Sequence, residues 1–238
     1  MSKTKIKLLG VGAIDLLVND KYHIYIDAFN NINNCPVLNE NDLIIFTHAD
    51  GDHFSVESLL STYQNNTIIG PPSIVLPLVR TGKIDCNNLI IDYPEQAYSP
   101  KTFSVKDISV SIFQSKHFID WNPIHCSYLL KIGHKKIWIT GDSIFEPSFL
   151  KENSLDCIIC NLVDKGFITK TDDPKHAVHH HISYLLNILS NTKADKIIAN
   201  HLIGFDGTIE PKTLKEVIER YGFNKIIVPE TTSETFEV

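Results

Sequence analysis

The chain has 238 residues, of which 43% are apolar and 21% charged, and its formal charge is −6. These values are ordinary for a globular protein that can bury a core without staples, and length alone leaves one large domain or two small ones open. The acidic balance, with no basic run interleaved with aromatics, disfavours nucleic acid as a partner, although a local phosphate site stays open.

The opening stretch, MSKTKIKLLGVGAIDLLVND, carries Lys3, Lys5 and Lys7 and is then broken by Gly10, Gly12 and Asp15. It has neither the apolar core nor the small-residue cleavage site of a signal peptide. No stretch approaches the roughly 18 apolar residues of a membrane span, so a cytoplasmic protein with no membrane partner is expected. KIKLLGVGAIDLLVN and KYHIYIDAF read as strands joined by the turn NDK. The G-x-G inside LGVGA opens no helix and reads as a tight bend, not a dinucleotide loop. DLIIFTH is a short buried strand ending at His48. SVESLLSTYQ follows as a helix with Ser55 as N-cap and Glu57 in its first turn.

NTIIG reads as a strand, PPSIVLPLVRTG as a helix opened by proline, and NNLIIDY as a strand. FSVKDISVSIFQSKH reads as two strands, the second ending near His117. CSYLLKIGHKKIWITGDS is a hairpin whose second strand ends at Asp142. LDCIICNLV is a buried strand. HHISYLLNILSNTKA has the spacing of a helix, with Ile182, Leu185, Leu186 and Leu189 on one face. DKIIANH is a strand ending at His201, EPKTLKEVIERYG a helix between Pro211 and Gly222, and FNKIIVPE is expected to close the chain as a strand.

The five cysteines are odd in number and scattered, so no disulfide framework is expected. Cys157 and Cys160 form a C-x-x-C, which admits redox or zinc chemistry. Their spacing of three inside an apolar strand favours two small buried residues on opposite faces.

The histidines and acids carry more information. FTHADGDHF crowds His48, Asp50, Asp52 and His53 into six positions directly after an apolar strand. Ionised acids so placed repel one another, and a bound cation reverses that balance. His48, His117, Asp142 and His201 each lie just past the C-terminal end of an apolar strand, where layered α/β architectures collect functional groups.

With these residues in place the sequence resembles the metallo-β-lactamase superfamily. The signature is H-x-H-x-D-H after a strand, a distant His, an Asp after a strand and a final His. Here these are THADGDH, SKH, TGDS and ANH, with Asp27 in YIDAF as an earlier match. The likeness runs from Lys5 to about Val228. It implies one domain over residues 1–238 with an α/β fold: a four-layer αβ/βα sandwich of two mixed β-sheets with the metal site along one edge.

The resemblance further implies two divalent metal ions, Zn2+ being commonest in the family. His48, Asp50 and His117 would hold the first, Asp52, His53 and His201 the second, and Asp142 would bridge. Asp52 would orient the attacking water and Asp27 would hold the ligand loop from behind. Asp50 departs from the family, where this position is mostly His. Three readings stay open. Asp50 ligates and gives a harder site that favours Mn2+ or Fe2+; or only the second site fills; or the site is degenerate. His125, in NPIHCSYLL, is a rival to His117. His117 is preferred because it follows a complete apolar strand and precedes a loop, FIDWNPI, in which Trp121 offers an apolar wall.

In KHAVHHHIS, His181 and Ser183 match a pattern of phosphodiesterase-like members in which this His acts as general acid. The alternative is a polar-capped helix start with exposed His179 and His180. Lys165 is an exposed loop lysine or a contact to an anionic substrate. The function implied is a metal-dependent hydrolase that cleaves a phosphodiester, lactone or other ester in a small-molecule or phosphoester substrate. The alternatives are a di-iron redox protein and a non-catalytic, partner-binding member. The sequence leaves a homo-oligomer open.

Overall fold

The computed structural model describes residues 3–31, 33, 35–91, 93–94, 100–117, 124–143, 154–162, 192–202, 210–220, 222–223 and 225–238. The first half supplies strands β1 (Thr4–Leu8), β2 (Ile14–Val18), β3 (Tyr22–Ile26), β4 (Leu43–Ile45), β5 (Thr67–Gly70) and β6 (Leu89–Ile91), with helices α1 (Val56–Thr62) and α2 (Pro72–Arg80). The second supplies β7 (Lys101–Val105), β8 (Ile108–Ser115), β9 (His125–Ile132), β10 (Lys135–Ile139), β11 (Ser154–Asn161) and β12 (Lys193–Asn200), then α3 (Pro211–Arg220), β13 (Ile226–Ile227) and β14 (Thr235–Glu237).

Local chemistry accounts for the punctuation. Asn19 and Asp20 both take positive φ (54° each) at the centre of the turn between β2 and β3, which the Lys21 N–H closes by donating to the Val18 carbonyl at 2.9 Å, and Asn and Asp tolerate that conformation better than most residues. Ser55 caps α1 by accepting from the Ser58 N–H. Pro72 opens α2, where a missing N–H costs nothing.

The strands form two seven-stranded sheets, ordered β14-β1-β2-β3-β4-β5-β6 and β13-β12-β11-β10-β9-β8-β7. Both are mixed. In the first, β1 to β3 run antiparallel and β3 to β6 parallel. In the second, β7 to β10 run antiparallel and β10 to β13 parallel. Alternation along each strand divides the apolar residues between two cores. Ile24, Ile26, Leu43, Ile45 and Ile69 enter the large core shared with the second sheet. Tyr25, Ile44 and Ile68 face the other way, onto Leu59 of α1 and Ile74 and Leu78 of α2. Helix α3 buries Leu214, Val217 and Ile218 in the core that also holds β11 and β12. This is the α/β sandwich of two mixed sheets that the sequence led us to expect.

FNKIIVPE contributes only the two residues of β13, and the chain then crosses to the first sheet, where β14 pairs with β1 in the register Ile6↔Phe236. Thr235–Glu237 is short and polar, so its pairing is a tertiary event with no apolar pattern to announce it. Cys157 and Cys160 are buried within β11, and all five cysteines are free. Burial pushes the Cys157 thiol up to about 12 and raises that of Cys160 too; neither is poised as a thiolate. No helix among the described residues is long and apolar enough to cross a membrane. The helix read over HHISYLLNILSNTKA lies outside the described residues.

Parallel pairing decides where the polar strand ends gather. Strands β3 and β4 end at the same edge, and so do β10 and β12. Strand β8 is antiparallel to β9, which is antiparallel to β10, so β8 ends at that edge as well. Two hydrogen bonds clamp the sheets together there: the Cys126 N–H donates to the Thr47 carbonyl at 2.9 Å, and the buried Tyr128 hydroxyl to the Phe46 carbonyl at 2.7 Å. Tyr128→Phe leaves that carbonyl buried and unsatisfied, and is expected to lower unfolding free energy by about 1–2 kcal/mol. Urea unfolding with an unchanged slope checks it; an unaltered midpoint would show that the clamp carries no net stability.

Candidate metal centre

The ligand loop leaves β4 through Phe46 and re-enters regular structure at Ser55. Phe46 packs edge-on against Phe54 (centroids 5.0 Å apart) and Phe29 (6.2 Å). A backbone bridge joins Phe29 to Phe54, the His53 and Phe54 N–H groups both donate to the Asp50 carbonyl, and the Asn30 side-chain amide donates to the Asp52 carbonyl. An apolar aromatic base and a tight turn therefore hold a loop whose own side chains repel.

Asp27 governs that loop from beneath. It is buried, follows β3 in the left-handed region (φ 52°) and accepts three hydrogen bonds. The Thr47 N–H reaches Oδ1 at 2.8 Å, the Thr47 hydroxyl Oδ2 at 2.6 Å, and His53 Nδ1 Oδ2 at 2.9 Å. The Thr47 hydroxyl has one proton, which goes to Asp27. At its 2.8 Å contact with His48 Nδ1 it must therefore accept. This fixes the His48 tautomer: the proton sits on Nδ1 and the Nε2 lone pair points into the site. That Nε2 is buried with no hydrogen-bond partner, and its neighbour at 3.6 Å is an Asp50 carboxylate oxygen. A lone pair aimed at a carboxylate is an arrangement a cation resolves.

The expected residues come together as two triads. Ligand atoms of His48, Asp50 and His117 lie within 4.8 Å of one another, and so do those of Asp52, His53 and His201. A third grouping, Asp27 with His48 and His53, is also that close, but hydrogen bonds already engage both Asp27 oxygens. Asp142 lies between the triads. Its Oδ2 is 3.4 Å from His53 Nε2 and 3.9 Å from His117 Nε2, and its Oδ1 is 3.3 Å from His201 Nε2. Asp50 Oδ2 is 3.5 Å from His117 Nε2. The histidines and Asp142 are buried, whereas the Asp50 and Asp52 side chains are 28% and 50% exposed. The site therefore opens to solvent on the side of the two loop aspartates. His201 is held at φ +63°, an uncommon conformation for a residue with a Cβ.

Charge balance follows the same geometry. Burial opposes a charge on His53, but the Asp142 and Asp27 carboxylates outweigh it and hold its imidazolium well above the usual histidine range. Burial, reinforced by His53, keeps His48 below that range. Burial lowers His201 as well, against the pull of Asp142. Burial would raise Asp142, yet its neighbours His201 and His53 outweigh that and hold it well below the ordinary carboxylate range. The carboxylates that favour a proton on His53 would equally favour a divalent cation there. The donors on offer are imidazole nitrogen and carboxylate oxygen with no thiolate, a set that suits Zn2+, Mn2+ or Fe2+.

His125 is placed differently from its rival. It faces Ser115 across the β8–β9 pair, and both its ring nitrogens have hydrogen-bond partners. The sequence marks Gly12 only as part of a bend. It does turn the chain there at φ +66°, and a Cβ on it would lie 2.4 Å from His53 Cε1, so it also makes room for the His53 ring. Thr47 carries no legible signal beyond preceding His48, and Asn161, whose amide donates to Asp142 Oδ1 at 3.1 Å, carries none. His181, Ser183, Lys165 and Trp121 lie outside the described residues. An open groove of about 1260 Å³ borders Asp52 and is lined by Asp15, Tyr25, Asn30 and Glu57, among others.

No family model matches the chain. It is similar to a UPF0173 protein of Pyrococcus abyssi, 24% identical over 144 residues, which are 60% of this chain and 63% of that protein. The match thus spans less than two thirds of the curated relative. Among solved structures, Igni18, described as a novel metallo hydrolase from Ignicoccus hospitalis, superposes with a TM-score of 0.66 at 18% identity over 99% of this chain and 98% of that one. YhfI from Bacillus subtilis, described as a metallo-beta-lactamase fold protein, gives 0.62 at 12% identity over 100% of both chains.

Thr47→Val removes the hydroxyl that fixes the His48 tautomer. It is expected to weaken Zn2+ or Mn2+ binding by roughly 10–100-fold, with Thr47→Ser restoring it, as read by competition with a chromophoric chelator. Equal affinity in all three proteins would contradict the tautomer argument.

Proposed function

We propose that this chain, whose fold is the metallo-β-lactamase fold, is a metal-dependent hydrolase of ester-type bonds. The observation that carries the reading is the pair of triads with Asp142 set between them. His48, Asp50 and His117 would hold one divalent ion, Asp52, His53 and His201 a second, and Asp142 would contact both. Asp50 makes the first triad harder and more anionic than an all-imidazole set, which favours Mn2+ or Fe2+ there relative to Zn2+. Ions bound in these positions would supply Lewis-acid chemistry, easing deprotonation of a water and polarising the scissile carbonyl or phosphoryl oxygen.

The chain's own residues do the rest. Asp27 and Thr47 hold the His53 and His48 rings so that Nε2 of each faces the site. Asp52, the most exposed acid of the centre, would accept a hydrogen bond from the attacking water and take its proton at a carboxylate oxygen. His181 is the candidate to protonate the leaving group. The groove beside Asp52 would seat the substrate. Its described lining includes the carboxylates of Asp15, Asp52 and Glu57 and neither Lys nor Arg. That lining favours an uncharged ester or lactone over a phosphodiester anion.

The test is hydrolysis of a chromogenic carboxylic ester, a lactone and a phosphodiester by protein loaded with Mn2+ or Zn2+. Turnover that is lost with chelator, and that falls at least about 100-fold in Asp52→Asn, is the expected result. Turnover indifferent to chelator and to Asp52→Asn would overturn the proposal.

A further inference from the structure

His125 is a buried imidazole that the proposed ligand set does not use. It begins β9 directly opposite the last residue of β8, in the register Ser115↔His125, and is fully buried. Nδ1 lies 2.6 Å from Ser115 Oγ, and Nε2 accepts the backbone N–H of Asp142 at 3.0 Å. An N–H donor at Nε2 requires a lone pair there, so the ring proton sits on Nδ1 and points to Ser115. The only lone pair of the neutral ring is thus engaged by Asp142 and is not on offer to a cation.

We infer that His125 is a positioning residue which, with Ser115 behind it, fixes the main chain of Asp142 and so places its carboxylate between the two triads. The inference takes the use of Asp142 from the proposed function; the hydrogen bonds stand without it. Two neighbours support the assignment. At Gly141, where φ is +57°, a Cβ would lie 2.8 Å from His125 Nε2 and 3.0 Å from Thr47 Cβ. The backbone beside Asp142 thus comes close enough to the ring that a side chain at 141 would separate them. Asn161 holds the other end, donating to Asp142 Oδ1 at 3.1 Å. Asp142 is therefore held at its main chain from β9 and at its carboxylate from β11. The His125 ring also backs His48 and His117, with centroids at 4.7 and 5.6 Å, so it forms a wall of the first triad without joining it.

A positioning role separates from a ligand role in three variants. Chelator-treated protein is followed by amide hydrogen exchange at Asp142 at one fixed pH. In His125→Leu the Asp142 amide should exchange roughly 10–100-fold faster, whereas His125→Gln, which offers an acceptor oxygen, should keep most of the protection. Mn2+ is then titrated and followed by electron paramagnetic resonance. Wild type and His125→Gln should give the spectrum of two coupled ions, and His125→Leu should bind Mn2+ but give uncoupled signals. Unchanged Asp142 protection in a folded His125→Leu overturns the inference, and so does loss of all Mn2+ binding in that variant, which would make His125 a ligand. Should His125→Leu fail to fold, Ser115→Ala decides: faster Asp142 exchange supports the role and unchanged exchange overturns it. Wild-type protein that takes up neither Mn2+ nor Zn2+ overturns the proposed function; in that case, or where only Zn2+ binds, the amide readout alone decides on His125.

Discussion

The buried Asp27 carboxylate is the constraint on which the site rests. Three donors converge on it from Thr47 and His53, and by accepting them it orients two imidazole rings at once. His53 is fixed directly and His48 through the single proton of the Thr47 hydroxyl. A buried ion is stable only where its lone pairs are engaged. Here that requirement and the orientation of the metal-facing nitrogens are met by the same bonds. The strained backbone at Asp27 is held by this network of contacts.

The centre belongs to neither sheet alone. The first sheet contributes His48, Asp50, Asp52 and His53 from one loop, and the second contributes His117, Asp142 and His201 from three strand ends. Each proposed triad mixes both sources. The Cys126–Thr47 and Tyr128–Phe46 hydrogen bonds join the sheets beside the site, so packing the large core and assembling the centre are one event. The aromatic cluster of Phe29, Phe46 and Phe54 anchors the acidic loop, because apolar burial outweighs modest repulsion between the partly exposed Asp50 and Asp52.

Much of this was legible in the sequence because the signals were local. Short apolar runs ending in His or Asp mark the strand ends, and the spacing within THADGDH places four side chains in one turn. A single parallel direction then carries the distant ends to one edge. Relations created by register were not legible. His117 and His125 are eight residues apart and equally plausible in one dimension. Only the antiparallel register places His125 opposite Ser115, where its lone pair is taken. Gly12 looks like any bend glycine until the ring of a residue 41 positions away is set against it. Strand β14 is too short and polar to announce itself, and Thr47 is an ordinary strand residue until Asp27 lies beneath it.

The central claim is that the two triads are metal sites, and metal content tests it most directly. Untagged protein purified without chelator and without added metal is weighed for divalent ions by elemental mass spectrometry. The account predicts two ions per chain, with manganese or iron present alongside or in place of zinc because Asp50 hardens the first triad. Protein that carries no metal and takes up none on titration would contradict it, and the crowded acids and imidazoles would then need another explanation.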